Sequence, residues 1–242
     1  MRRTKWLALA GALILLAALS APAPSLPADA PAEVELDGRP LVALTFDDGP
    51  RSSTTGPLLE GLALREVPAT FFLVGSRVAG NEELVRRMAQ EGHQIGVHTF
   101  DHVELKGLTR REFDLQVGKT RAALANLLGD GEFWLRPPYG IFDRPAAQWA
   151  DSPLVLWSVD PEDWRDSDID RVVASVTEHV QDGDIILLHD LYPSSASAAL
   201  RIVDRLQERG FSFVTVEQLM ELRGRPAEKG KVVRCVPPCQ SP

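Results

Sequence analysis

The chain has 242 residues, of which 44% are hydrophobic and 25% are charged, a composition that allows a sizeable core and argues against wholesale disorder. Its length indicates one domain with at most a short appendage. Acidic residues outnumber basic ones by 34 to 26, for a formal net charge of −8. Because such a surface repels phosphates, the charge argues against nucleic acid or an anionic membrane as a partner.

The first twenty residues predict a secretory signal peptide. Three basic residues precede an apolar stretch, and Ala18-Leu19-Ser20 suits cleavage before Ala21. The stretch is short for a membrane span, although an uncleaved signal anchor is the alternative. We therefore expect an exported protein in the extracellular space, the periplasm or the cell wall, without stable membrane insertion once the signal is cleaved.

The rest of the chain divides into three parts by composition. Residues 21–39 are rich in proline and alanine and predict an extended linker. Residues 40–224 are expected to form the folded domain, and residues 225–242 a C-terminal tail. The tail holds Cys235 and Cys239, which could close a small disulfide in an oxidising compartment.

From residue 40 onward, short apolar segments alternate with longer helix-like segments. The predicted strands are LVALTF (41–46), ATFFLV (69–74), HQIGVH (93–98), FWLR (133–136), LVLWSVD (154–160), DIILLHD (184–190) and FSFVTV (211–216). The predicted helices include residues 84–92, 111–129, 169–183 and 196–210, which end in glycine as helices often do. Nearly continuous apolar strands are typical of a parallel sheet covered on both faces. The pattern predicts an α/β fold, either an open doubly wound sheet or a barrel.

Ionisable side chains follow five of the predicted strands. In both architectures the active site lies at the C-terminal ends of the strands. The residues at these ends are Asp47 and Asp48, His98 and His102, Arg136, Asp160 to Asp163, and His189. Their convergence predicts one active site at this end of the sheet.

The motif HTFDH is a candidate for metal binding. His98 and His102 are four residues apart, a spacing that can direct both imidazoles at one cation. One carboxylate of Asp47 and Asp48 could complete a set of two histidines and one acid for a metal such as Zn²⁺, while the other stays free as a general base. The alternatives are an incidental histidine pair and an Asp48 that caps a turn or a helix.

Two further strand ends suggest acid and base chemistry. His189 stands where a general acid would be useful, and Asp160 or Asp163 could hold its tautomer. Arg136 lies in LRPPYG, where prolines fix the backbone, and it could orient the carboxylate of Asp47. The alternatives are a structural histidine and a surface arginine.

Four aromatic residues lie in or beside these segments: Tyr139, Trp157, Trp164 and Tyr192. Their rings could stack on sugars at an acid/base site, or they could belong to the core. We expect Trp157 to be a core residue, because it lies inside an apolar strand.

The five motifs TFDDGP, HTFDH, RPPYG, DPEDW and LLH, in this order, resemble those of the NodB-homology polysaccharide deacetylases, a family of metal-dependent carbohydrate esterases. The resemblance covers about residues 40–220. It implies a distorted (β/α)₇ barrel and hydrolysis of N-acetyl groups on N-acetylglucosamine-type glycans, such as peptidoglycan or chitin oligosaccharides, with release of acetate. It also implies a divalent metal cofactor, with Zn²⁺ as the first choice and Co²⁺ or Ni²⁺ as alternatives.

The resemblance also implies roles on the metal side of the site. Asp48, His98 and His102 would be the metal ligands. Asp47 would be the general base, and Arg136 would orient it.

On the opposite side, the resemblance implies that His189 is the general acid and that Asp163 tunes it. The backbone N–H of Tyr139 would help to form the oxyanion hole. Leu187 and Trp164 would line the pocket for the methyl of the acetyl group.

Other functions are compatible with the same residues. The first alternative is an esterase that removes O-acetyl groups from acetylated xylan. A second is a non-catalytic glycan-binding domain on the same scaffold, which would be expected to show a broken motif. A metal-independent amidohydrolase for small cyclic amides is disfavoured by the intact Asp-His-His set and the export signal.

Overall fold

A computed structural model describes residues 38–236. The predicted signal peptide and almost all of the predicted linker lie outside the described residues. Cys235 is disulfide-bonded, but Cys239 lies outside the described residues, so the pairing of the two stays a prediction. Between residues 38 and 236, no helix is both long and apolar enough to cross a membrane.

The described residues form short strands that alternate with helices. The strands are β1 (Leu41–Asp47), β2 (Thr70–Leu73), β3 (Gln94–Val97), β4 (Leu154–Val155), β5 (Ile185–His189), β6 (Ser212–Val214) and β7 (Val232–Val233). The α-helices are α1 (Ser52–Ala63), α2 (Glu82–Gln90), α3 (Arg110–Phe113), α4 (Lys119–Leu128), α5 (Arg144–Trp149), α6 (Ile169–Thr177), α7 (Pro193–Glu208) and α8 (Val216–Leu222). Short 3₁₀ turns cover Gly75–Arg77 and Pro138–Gly140, and a π-helical segment, Asp114–Gly118, joins α3 to α4.

Several helices begin where the sequence offers a capping side chain. Thr109 and Thr215 each form a capping box at the start of α3 and α8, and Asp143 and Asp168 accept backbone N–H groups at the starts of α5 and α6. These side chains satisfy N–H groups that the first turn of a helix leaves without a partner.

The strands form a parallel, distorted barrel around β1. β1 pairs with β2 and β6 along one edge and with β5 along the other, and β2 pairs with β3. A bridge at Leu135 connects β3 to β4, and a bridge from Val159 to Ile186 leads back to β5. The barrel therefore closes through isolated bridges rather than through full strands in this sector.

Two predicted strands are much shorter in the structure. The segment 133–136 keeps only the bridge at Leu135, and 154–160 keeps only β4 and the bridge at Val159. The cause is visible at Arg136, whose guanidinium donates hydrogen bonds to the carbonyls of Val155 and Leu156. A side chain thus occupies acceptors that a neighbouring strand would otherwise use.

The chain returns to the barrel after α8. β7, which was not predicted, pairs in parallel with β4, and the amide of Val236 donates to the carbonyl of Gly183. Val236 is buried. The packed domain therefore extends beyond the predicted boundary at residue 224, to the end of the described residues.

Alternate residues of β1 pack into two apolar clusters. Leu41 and Ala43 belong to a cluster inside the barrel, which α8 covers at the N-terminal end of the strands. Val42, Leu44 and Phe46 belong to the larger cluster between the barrel and its surrounding helices. Because side chains alternate across a strand, Thr45 and Asp47 continue the inner face toward the C-terminal end of the barrel.

Candidate active site and metal centre

The alternation of β1 and β5 places two of the predicted functional residues at one mouth of the barrel. Asp47 and His189 are register partners at the C-terminal ends of these strands. Both line a cavity of about 350 Å³. The three predicted metal ligands, Asp48, His98 and His102, line the same cavity, as do Tyr139, Trp164 and Leu187.

Asp48, His98 and His102 form a compact cluster on one side of the cavity. Each offers one ligand atom, and these atoms lie within 4.8 Å of one another. Asp48 Oδ1 is 3.0 Å from His102 Nε2 and 3.5 Å from His98 Nε2, yet it makes no hydrogen bond of normal geometry. The three ligand atoms converge on one point and make no hydrogen bonds with one another. The cluster therefore fits a divalent metal ion. The alternative role of Asp48 as a helix cap is wrong, because Arg51 is the N-cap residue of α1 and no side chain caps that helix.

The protonation of this cluster also suits metal binding. Burial disfavours the ionised form of Asp48, but contact with His102 and the nearby His98 outweigh it and lower the pKa of Asp48 to about 2. Burial lowers the pKa of His98, although the neighbouring carboxylates oppose this. His98 Nδ1 donates to the carbonyl of Arg136 at 2.8 Å, which leaves the lone pair of Nε2 facing the cluster.

Arg136 is fully buried beneath Asp47, and the alternative of a surface arginine is wrong. Its Nη1 donates to Asp47 Oδ1 at 2.8 Å and to Thr45 Oγ1 at 2.7 Å. Its other donors bind backbone carbonyls of the irregular sector, and its guanidinium lies 4.1 Å from the centre of the Phe72 ring. These contacts fix the carboxylate of Asp47, whose Oδ2 lies 3.5 Å from His98 Nε2.

His189 lies on the opposite side of the cavity and is held by Asp163. Asp163 accepts from Nδ1 of the imidazole at 2.8 Å and from the backbone N–H of His189 at 2.8 Å. Of the two predicted partners, the structure therefore selects Asp163, whereas Asp160 accepts from the N–H of Glu162. Burial opposes a charge on His189, but the hydrogen bond and charge of Asp163 raise its pKa to about 9.

Aromatic side chains form the walls of the cavity. Tyr139, Trp164 and Tyr192 are among the most exposed large apolar side chains of the described residues. Tyr139 also contacts the His102 ring edge-on, with centroids 4.8 Å apart. Trp157, expected in the core, packs against the inner cluster but also lines the cavity, because β4 ends two residues before it. Leu187 is buried at the base.

Two residues around the site were not predicted as functional. Thr45 accepts from Arg136 and donates to the carbonyl of Ile186 at 2.7 Å, which only the register of β1 and β5 reveals. Asp190 is fully buried, and its carboxylate occupies the space that a side chain at Gly49 would need. Burial, together with the nearby acids, raises the pKa of Asp190 to about 7. Its position directly after LLH was the only available signal.

Comparison with known proteins agrees with this geometry. The family model described as polysaccharide deacetylase matches residues 36–152. The peptidoglycan-N-acetylglucosamine deacetylase PgdA of Listeria monocytogenes is 38% identical over 190 residues, which are 78% of this chain and 40% of that protein. The chitooligosaccharide deacetylase of Sinorhizobium fredii is 36% identical in an alignment of 198 residues that covers 75% of this chain and 92% of that protein.

A solved structure supports the same relationship. The family 4 acetyl xylan esterase from Clostridium thermocellum, in complex with a cobalt ion, is similar at a TM-score of 0.78 and 32% identity, over 81% of this chain and 99% of that chain. The predicted α/β fold, with a parallel sheet in a distorted barrel, is therefore confirmed.

A parallel barrel with an Asp-His-His cluster at its C-terminal mouth defines an α/β protein with a divalent-metal site. The chain belongs to the polysaccharide deacetylase family, as its five motifs predicted. It spans about two fifths of the length of PgdA.

Proposed function

We propose that this protein is a metal-dependent polysaccharide deacetylase that hydrolyses N-acetyl groups of N-acetylglucosamine-type glycans and releases acetate. The observation that carries the proposal is the meeting of three groups in one cavity. The Asp48 cluster, the Asp47 carboxylate held by Arg136, and the His189 imidazole held by Asp163 surround the same space. Such a site offers a Lewis acid, a base and an acid to one bond.

In this proposal Asp48, His98 and His102 hold the metal, with Zn²⁺ as the first choice and Co²⁺ or Ni²⁺ as alternatives. When bound, a divalent cation polarises the acetyl carbonyl and makes water more acidic. His98 is fixed for this role by its bond to the Arg136 carbonyl, because a ligand whose second nitrogen is bonded keeps its tautomer and ring orientation.

Asp47 acts as the general base. Its hydrogen bond from buried Arg136 keeps the carboxylate oriented toward the cavity, so that it can take a proton from the attacking water. The backbone N–H of Tyr139 helps to stabilise the oxyanion that forms from the carbonyl.

His189 acts as the general acid and protonates the departing amine. Asp163 accepts from Nδ1, so the proton on Nε2 is the one available to the leaving group. A pKa of about 9 keeps the imidazole protonated at neutral pH. Leu187 and Trp164 line the pocket for the acetyl methyl.

The substrate class rests on the relatives and on the aromatic walls. PgdA and the Sinorhizobium protein are named for peptidoglycan N-acetylglucosamine and chitooligosaccharides. The exposed rings of Tyr139, Trp164 and Tyr192 present apolar faces that suit sugar rings. The predicted signal peptide supports export, which would bring the protein to a cell-wall glycan.

The test is acetate release by the purified protein from N-acetylglucosamine oligomers, peptidoglycan and acetylated xylan, with and without a chelator. We expect chelator-sensitive release from an N-acetylated glycan, restored by adding Zn²⁺ or Co²⁺. Acetate release that persists in the metal-free protein, or no acetate release from any of the three substrates, would contradict the proposal.

A second candidate is an O-acetyl esterase that acts on xylan. It is favoured by the similarity to the Clostridium thermocellum acetyl xylan esterase, at a TM-score of 0.78. Ester cleavage that far exceeds amide cleavage in the same assay would select it.

A further inference from the structure

The loop that carries His102 has an unusual backbone. Thr99 and His102 both have positive φ angles, 58° and 56°, although neither is glycine. Such left-handed residues are held only where surrounding contacts over-determine the conformation. The question is which contacts hold residues 99–102 in place.

One side of the loop is bound by backbone groups. The N–H groups of Gly75 and Ser76 donate to the carbonyls of Thr99 and Phe100, both at 2.9 Å. These bonds satisfy the loop's carbonyls but leave its N–H groups to find other acceptors.

On the other side of the loop, Thr99 Oγ1 accepts from the N–H of Val103, and the side chain of Gln116 binds the two residues between Thr99 and His102. Its Oε1 accepts from the N–H of Phe100 at 3.0 Å and from the N–H of Asp101 at 2.9 Å. Its Nε2 donates to Asp101 Oδ2 at 2.9 Å. A single amide thus makes three hydrogen bonds to the two residues that precede His102.

The helix around Gln116 departs from α-helical geometry at this point. Gln116 lies in the π-helical segment Asp114–Gly118, and its carbonyl accepts from the buried hydroxyl of Thr120 at 2.9 Å. Such segments are rare and frequently accompany functional sites. Lys119, one residue beyond the segment, places its ammonium 3.4 Å from the centre of the Phe100 ring, so this helix contacts the loop twice.

We propose that Gln116 is a positioning residue for the metal centre: it holds the backbone of Phe100 and Asp101 so that His102 faces Asp48 and His98. The inference rests on the metal site of the proposed function. Gln116 touches none of the three ligands and acts only through the loop. Residues that orient metal ligands affect metal affinity about 10- to 100-fold.

The test compares Gln116→Leu with Gln207→Leu as a matched control. Gln207 also lies on a helix and donates its Nε2 to a backbone carbonyl, that of Arg65, away from the site. In metal-free protein, we expect Gln116→Leu to speed hydrogen exchange at the amides of Phe100 and Asp101 about five- to tenfold. By calorimetry, its affinity for Zn²⁺ should fall about 10- to 100-fold. The control should change neither.

A second pair of variants guards against a general loss of structure. Gln116→Glu keeps the acceptor but faces the Asp101 carboxylate, so Zn²⁺ affinity should fall. Adding Asp101→Asn supplies a donor again and should return the affinity to within about threefold of the wild-type value. Recovery in the double variant is not expected of a residue that merely stabilises the fold.

The results separate the two proposals. Unchanged exchange in Gln116→Leu, or a wild-type affinity for Zn²⁺ in that variant, would overturn the positioning role while leaving the deacetylase proposal intact. A wild-type protein that binds neither Zn²⁺ nor Co²⁺ would overturn the metal centre itself, whatever the exchange rates show.

Discussion

The end of β3 and the end of β5 each present a histidine to the same cavity, but the two imidazoles have different partners. His98 Nδ1 donates to a neutral backbone carbonyl, that of Arg136. His189 Nδ1 donates to the carboxylate of Asp163. Burial opposes the charge on both rings, so burial alone does not distinguish them.

The hydrogen-bond partner at Nδ1 decides whether the pKa of the imidazole is lowered or raised. His98 has only a neutral carbonyl at Nδ1, and burial outweighs the carboxylates of Asp47 and Asp48 near Nε2, so its pKa is lowered and the neutral ring offers its Nε2 lone pair to a metal. With Asp163, the pKa of His189 rises to about 9, and the ring keeps the proton that a general acid must deliver. Two histidines at equivalent strand ends are thereby suited to opposite roles.

The largest expected effect is that of His98→Ala. Loss of a ligand should abolish tight metal binding, and the rate of acetate release should fall roughly a thousandfold or more, since a bound metal is worth several kcal/mol to the transition state. Metal content and acetate release check this, with exposed His179→Ala as the control. A variant that retains bound metal would remove His98 from the ligand set.

His189→Ala should separate the two sides of the site. This variant should keep its metal, because His189 is not part of the Asp48 cluster, but lose activity about 10²- to 10⁴-fold with the general acid. Circular dichroism would confirm an intact fold. Near-wild-type turnover, or loss of metal, would break the proposed division of roles.

Asp163→Asn tests whether the carboxylate sets the charge of His189. The native pKa of about 9 means that the acid is lost as pH rises through 9. Without the Asp163 charge, burial should dominate and lower the pKa, so the alkaline limb of the kcat profile should move down by roughly one pH unit or more. At pH 9, where about half of the wild-type imidazole is still protonated, the rate should fall about fivefold or more. An alkaline limb that does not move would assign it to another group.

Much of the barrel was predictable because β1, β2, β3 and β5 are mostly apolar and buried on both faces, a pattern set by local sequence. The sector between Leu135 and Val159 was not, since its strands are interrupted by hydrogen bonds from Arg136. A buried arginine that replaces strand partners leaves no periodic signal in the sequence. β7 was not predicted for a different reason: a strand of two residues is too short to show any period.

The functional residues likewise divide into those that local sequence predicts and those that only the fold reveals. Residues that provide the reacting groups stand in motifs at strand ends, so the sequence could nominate Asp47, Asp48 and His98. Arg136 and Asp163, which support reacting groups, were also predicted because they stand in such motifs. Thr45 stands in a motif that gave no such role and could not be nominated, because its contacts are long-range. Thr45 meets Arg136 from 91 positions away, and only the fold brings them together.

Thr45→Val gives the smallest expected effect. It acts on the contacts of Arg136 and His98, near the end of β3, and not on His189. The Thr45 hydroxyl accepts from Arg136, whose carbonyl binds His98, and donates to Ile186. Removing it leaves a buried donor and a buried carbonyl each short of one partner, so unfolding in urea should show a loss of about 1–3 kcal/mol. Thr177→Val is the control, because that hydroxyl binds a carbonyl within its own helix and should matter less.

Activity of the same variant sharpens the comparison. Arg136 keeps its bonds to Asp47 and to two carbonyls, so kcat should fall less than about tenfold and the pH at which the alkaline limb appears should not change. A shift of that limb would mean that the two histidines are coupled through the barrel interior. The partner at Nδ1 would then no longer explain by itself why one ring is neutral and the other charged.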